Sequence, residues 1–241
     1  MRKVPFISGE FYHIYNRGVD KRLIFHDQDD LNRFFQSMDE FNAVEPIGSI
    51  YENSFVKDKF GNEASKLNKD KLVNIIVYCL NSNHFHLILE QVVDGGISNF
   101  MKRLGGGYTK YFNEKEKRSG SLFQGVFKAV HIDSNEYLLY VSAYINLNDR
   151  VHQLGNEASK LASKLVKSKS SWSEYVEKDF SEFFCKKDII LDQFKNKKEY
   201  EKFARNTLES IIARKIEIKD MNEYLIESLG NDETSKYETS K

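Results

Sequence analysis

Two histidines one residue apart, His84 and His86, open the stretch His84-Phe85-His86-Leu87-Ile88-Leu89. On an extended chain successive side chains leave opposite faces, so both imidazoles share one face while Phe85, Leu87 and Leu89 share the other. Two imidazoles on one face can hold a divalent metal ion, although such a pair is also met as an incidental or structural feature. A second pair, Tyr144 and Asn148, is four residues apart, the spacing of one helical face. The Asn148 carbonyl is an oxygen ligand of the kind Mg²⁺ and Mn²⁺ accept. Two imidazoles and one amide carry no charge, which leaves the cation's charge to act on a phosphate oxygen. Tyr144 is then a candidate covalent nucleophile. Its ordinary pKa is about 10, so it needs a metal or a base beside it. Taken alone it reads first as an ordinary core tyrosine.

These residues need elements to hold them. The apolar run Val73–Leu80, the polar turn Asn81-Ser82-Asn83 and the histidine stretch predict a β-hairpin. Phe11–Arg17 reads as an earlier strand that ends at Gly18, with Arg17 at its exit, where a cation could reach a ligand. Asp27 precedes a helix whose Leu31, Phe34, Phe35, Met38 and Phe41 make one apolar face. A second helix starts near Ser98 and is interrupted by Gly105-Gly106-Gly107, a kink or a close approach of another chain segment. Gly125–Ile132 alternates as a fourth strand. Asp133 with Glu136 then resembles a capping box for a third helix that runs to about Leu147. Strand, helix, strand, strand, helix, strand is the split βαβ, ferredoxin-like order. The fold expected is α+β: an antiparallel sheet with helices on one face, and a C-terminal helical extension.

The chain has 241 residues, and its 36 Lys and Arg balance 36 Asp and Glu, so no global field draws it to nucleic acid. Charge is local instead. Residues 101–128 hold seven cations against Glu114 and Glu116, with Tyr108, Tyr111, Phe112, Phe123 and Phe127 interleaved. Cations for phosphates and rings for bases suit single-stranded nucleic acid; a solvated helix face is the alternative. Arg17, Lys102, Arg103, Lys110, Arg118 and Lys128 are the candidate contacts. Two cysteines make no disulfide framework, and no apolar run approaches the length of a membrane span. A cytoplasmic protein without a membrane partner is expected. Domain boundaries are read as 1–152 for a catalytic unit with a loop insertion at 51–72, 153–171 for a low-complexity linker, 172–229 for the helical extension and 230–241 for a disordered tail. The heptapeptide Gly-Asn-Glu-Ala-Ser-Lys-Leu occurs twice, at 61–67 and 155–161, with no physical reason apparent.

Four stretches taken in order resemble a known family. They are Tyr12-His13-Ile14-Tyr15-Asn16-Arg17-Gly18, Tyr78-Cys79-Leu80 with Asn83-His84-Phe85-His86-Leu87, Gly120–Phe127, and Tyr144-Ile145-Asn146-Leu147-Asn148. Together they are similar to the single-tyrosine HUH transposases, most closely the REP-associated tyrosine transposases of the IS200-like group, over about residues 6–152. The resemblance implies a metal-dependent endonuclease and strand transferase for single-stranded, hairpin-bearing DNA, working through a 5′-phosphotyrosine link. By motif match His84, His86 and Asn148 would hold Mg²⁺ or Mn²⁺ and Tyr144 would attack. Nucleoid association when DNA-bound follows from the same resemblance; monomer and homodimer stay open. Asn81-Ser82 stands where the family usually has Met-Pro, and Asn148 is followed by Asp149-Arg150-Val151-His152 where the family usually continues with proline. Two rival functions share the fold: a hairpin-DNA binder that does not cut, and a phosphodiesterase that uses water.

Overall fold

The computed structural model describes residues 5–51, 70–153, 166–177 and 184–234. Both copies of the repeated heptapeptide lie outside them, as does most of the 51–72 insertion. Strand β1 (Phe11–Arg17) leads to helix α1 (Gln28–Glu40), then to the hairpin of β2 (Val73–Asn81) and β3 (His84–Gln91). Helix α2 (Gly96–Lys115), β4 (Lys128–Ile132), α3 (Asn135–Asn146) and α4 (Asn148–Gln153) follow. A two-residue strand β5 (Lys169–Ser170) and helices α5 (Trp172–Val176), α6 (Asp188–Leu191) and α7 (Lys197–Thr234) complete the described chain. The sheet is antiparallel in the order β4-β1-β3-β2-β5. Its first four strands have the split βαβ order that the sequence predicts.

Period-2 alternation sets what each face of β3 sees. Phe85 meets Phe34 of α1 at 5.3 Å between ring centroids, and Phe123 at 5.7 Å. On this face α1 and α2 close a dry core of Leu31, Phe34, Met38, Phe100, Leu104 and Tyr108. The Asp27 carboxylate caps α1 by accepting from the Asp30 amide at 2.9 Å. Helix α2 runs unbroken through its three glycines. At Gly107 a Cβ would come within 2.6 Å of the Phe41 ring, so that glycine permits the close packing of α2 on the end of α1.

The two helices of the βαβ unit therefore lie on one face, as expected, but the third does not. Helix α3 covers the opposite face, that of the histidines, and its Leu138, Val141 and Ile145 are buried. Strand β2 explains why: eight of its nine residues are buried, so both of its sides need cover. Ser134, one residue past the predicted Asp133, caps α3 by accepting from the Tyr137 amide at 3.3 Å. The start of α7 packs on α3, where the buried Tyr200 hydroxyl accepts from Asn146 Nδ2 at 2.8 Å.

Strand β5 lies inside the stretch read as linker. Lys169 and Ser170 pair with Leu80 and Cys79, and Val166 is buried. Helix α7 reaches Thr234, into the range read as a tail; residues 235–241 lie outside the described ones. Among the described residues no helix is long and apolar enough to cross a membrane.

Candidate active site

The hairpin turn is tighter than the sequence suggests. Ser82 and Asn83 form it alone, and Asn81, read as a turn residue, is the last residue of β2, paired with His84. The turn is fixed from outside: Ser82 O accepts the Ile24 and Phe25 amides at 2.8 and 3.1 Å, and Asn83 O accepts the Gly18 amide at 2.9 Å. In the β1–β3 register Tyr15 faces His86 and Arg17 faces His84. Cross-strand partners share a face, so β1 adds His13, Tyr15 and Arg17 to the histidine side.

Helix α3 brings Tyr144 onto this face. Its ring lies 5.8 Å from that of His86 and 6.4 Å from that of His13, edge-on to both. The tyrosine and Asn148 do not sit on one continuous helix. α3 ends at Asn146, Leu147 leaves helical geometry at φ −112°, and Asn148 opens α4. The break delivers Asn148 Oδ1 to 3.3 Å from His84 Nε2. Asn148 is fully buried, and its Nδ2 has no hydrogen-bond partner. A buried amide donor left unpaired is costly and calls for a functional or structural reason.

Each histidine has a partner for its Nδ1. His84 Nδ1 lies 2.6 Å from Asn83 Oδ1, an acceptor only, so this nitrogen carries the proton and Nε2 keeps its lone pair. His86 Nδ1 lies 2.9 Å from His13 Nε2. Burial pushes the His13 pKa down to about 4, so His13 is neutral at ordinary pH and can accept from His86. Partners of this kind fix the tautomer and aim of a metal-binding imidazole. His84 Nε2 and Asn148 Oδ1 both meet a donor, Asn81 Nδ2, at 3.1 and 2.9 Å. The converging lone pairs of His84 Nε2 and Asn148 Oδ1 fit a divalent cation. Among the described residues no three His, Cys, Asp or Glu side chains cluster to hold one; the set expected from sequence, His84, His86 and Asn148, includes an amide in place of a third such side chain. Burial raises the Tyr144 pKa, and the Asn148 side chain pulls it the other way. The phenol is thus neutral and needs help to attack.

The predicted nucleic-acid contacts divide. Arg17 and Lys128 share the histidine face, for Lys128 pairs with Tyr15. Arg17 Nε also donates to Gln124 Oε1, which ties the 120–127 loop to the end of β1. Lys102, Arg103, Lys110 and Arg118 belong to α2 and its exit, beyond the opposite face. Lys102 and Lys110 are exposed there. Arg103 donates to the Ala43 and Val44 carbonyls, and Arg118 to Asn113 Oδ1 and the Ser121 carbonyl, both local structural roles. Tyr108, Phe112 and Phe123 are core, not stacking surfaces. Sequence reasoning gave no role to His13, Asn81, Asn83 or Ser168. His13 left a signal as a histidine on a predicted strand, and both His13 and Asn83 fall within the resembling stretches.

The split βαβ sheet thus carries paired histidines with a tyrosine-bearing helix laid over them. Residues 48–148 match the model of the family described as "Transposase IS200 like". The match is less than half of the 241 residues, yet it holds His84, His86 and Tyr144 and ends on Asn148. No curated protein matches the chain. One solved structure, of the REP-associated tyrosine transposase bound to a REP hairpin, aligns with 78% of this chain and 92% of its own at 12% identity. The TM-score of that alignment is 0.43.

Proposed function

We propose that this protein nicks and rejoins single-stranded DNA beside a hairpin, with Tyr144 as nucleophile and a divalent cation, Mg²⁺ or Mn²⁺, on His84, His86 and Asn148. The observation that carries the reading is the convergence of Tyr144, His86, His84 and Asn148 on one sheet face, within the stretch matched to a transposase family. The hairpin follows from the motif resemblance alone. The Tyr144 oxygen bonds to phosphorus, the bond from phosphorus to the 3′ oxygen breaks, and that oxygen leaves as a 3′-OH, taking up a proton. The downstream strand stays on the protein as a 5′-phosphotyrosine until a 3′-OH attacks in reverse. A bound cation supplies Lewis-acid charge to the phosphate oxygens. His13 and Asn83 hold the two imidazoles in one tautomer. α3 sets the angle of the tyrosine ring, and Arg17 and Lys128 meet backbone phosphates on the same side.

The test is covalent capture. A hairpin oligonucleotide labelled downstream of the cut is incubated with the protein and Mn²⁺, then denatured. A labelled protein band is expected. Labelled free product without a band would favour the water-using phosphodiesterase, and uncut bound DNA the non-cleaving binder.

A further inference from the structure

We propose that Asn81 is a further ligand of the same cation, through an amide that turns over when the cation binds. The inference rests on reading His84 and Asn148 as cation ligands. Asn81 Nδ2, Asn148 Oδ1 and His84 Nε2 form a triangle with sides of 2.9, 3.3 and 3.1 Å. Neighbouring donors around a small divalent cation, with bonds of roughly 2.1 Å at right angles, are about 3 Å apart. The Asn81 amide thus stands at the third corner of a ligand triangle whose other two corners are lone pairs. Facing them with N–H satisfies both acceptors when no cation is there. Facing them with Oδ1 would offer a cation a third lone pair.

The surroundings permit either orientation. Asn81 is 5% exposed and anchored in the sheet beside His84, so its side chain is already aimed. Its Oδ1 now accepts from Ser168 Oγ at 3.0 Å, with Cys79 Sγ at 3.8 Å. A hydroxyl donates or accepts by rotating its hydrogen. After the amide turns over, Nδ2 donates to the same Ser168 oxygen, and only the weak Cys79 thiol donor loses its acceptor. A valine or leucine would fill this buried strand position without difficulty; the amide is what the neighbouring lone pairs require. Ser168 is also a reason for the segment before β5 to lie against the site.

The test is Mn²⁺ binding to the full chain by calorimetry, without DNA, for the wild type, Asn81→Ala, Asn81→Asp and His84→Ala. The wild type should bind, and His84→Ala should lose binding. Asn81→Ala should bind at least about tenfold more weakly, the scale of losing a supporting group at a metal site. Asn81→Asp keeps the shape, cannot present N–H, and should bind more tightly than the wild type. If Asn81 only fills the place a cation would take, Asn81→Ala will bind as well as the wild type or better, which overturns the proposal. Asn81→Asp binding no more tightly than the wild type also overturns it, and that arm remains should the alanine variant fail to fold. A wild type that binds no Mn²⁺, or a His84→Ala variant that binds like it, would instead remove the cation site itself.

Discussion

The two faces of β3 are built from alternate residues of one strand, and they differ in kind. Toward α1 and α2, Phe85, Leu87 and Leu89 are sealed in rings and aliphatic chains, and the buried Tyr108 hydroxyl is satisfied by the Ile24 carbonyl at 2.6 Å. Toward α3 stand His13, Tyr15, His84, His86, Tyr144 and Asn148, with a buried amide donor unpaired. The first face has what stability needs and the second has what stability would avoid. The contrast separates folding from chemistry on a scale of one residue, and it can be broken by substitution.

The largest effect belongs to the chemical face. Tyr144→Phe removes one hydroxyl and keeps the ring, so packing on α3 should hold and thermal unfolding should barely move. Adduct formation should fall by on the order of 10³-fold or more, since the attacking oxygen is gone. Tyr137→Phe and Tyr140→Phe should cut normally. A Tyr144→Phe variant that still captures DNA would give the role to another tyrosine.

Next come neighbours on one strand. Phe85→Ala should cost roughly 3–5 kcal/mol in denaturant unfolding, the range for a buried ring. His84→Ala, without added cation, should cost no more than about 1 kcal/mol, because hydrogen bonds on a partly exposed side chain are exchanged for water. Equal costs would mean that the histidine face is also a packing face.

How far the sequence foretells this contrast depends on the range of the signal. The alternation through His84–Leu89 is local, and so are the Asp27 cap and the apolar face of α1; each holds. His13 meets His86 only through the register of strands 73 residues apart. Strand β5 has two residues, too few for any period. Asn81 looks like a turn residue because asparagine favours turns, yet sheet pairing takes it. The basic stretch is dispersed for the same reason. Its residues are neighbours along the chain, but α2 carries most of them away from the histidine face and buries Tyr108 and Phe112 in the core.

A smaller effect tests the clamp beside the dry core. Lys115 donates to Asp27 and to the buried Asp30, both at 2.6 Å. The Lys115 hydrogen bond, with the Asp30 amide, holds the Asp27 carboxyl below its usual range. A depressed carboxylate pKa adds stability that is present above the unfolded value near 3.8 and is lost as pH falls through the folded one. Asp27 is half exposed, so after solvent screening the loss should be under about 1 kcal/mol. Asp27→Asn should remove that acid-side slope in urea unfolding between pH 5 and about 3.

The smallest effect asks which face DNA touches. Each cation that neutralises a phosphate contributes roughly 0.7 to the log–log slope of affinity against salt on a single strand, and about 0.9 on a duplex. Lys128→Ala should lower the slope of hairpin-DNA binding by about that much, since the β4–β1 register sets Lys128 on the side of His86. Arg17→Ala should do the same and also release the 120–127 loop, because its guanidinium is shared with Gln124. Lys102→Ala and Lys110→Ala are controls of equal charge on α2, behind the opposite face, and should leave the slope unchanged. The pattern matters more than any single value, for one lost contact changes affinity only a few-fold. If Lys102 and Lys110 flatten the slope while Lys128 does not, DNA approaches from the α2 side. The histidine face would then lack the strand its geometry is proposed to cut.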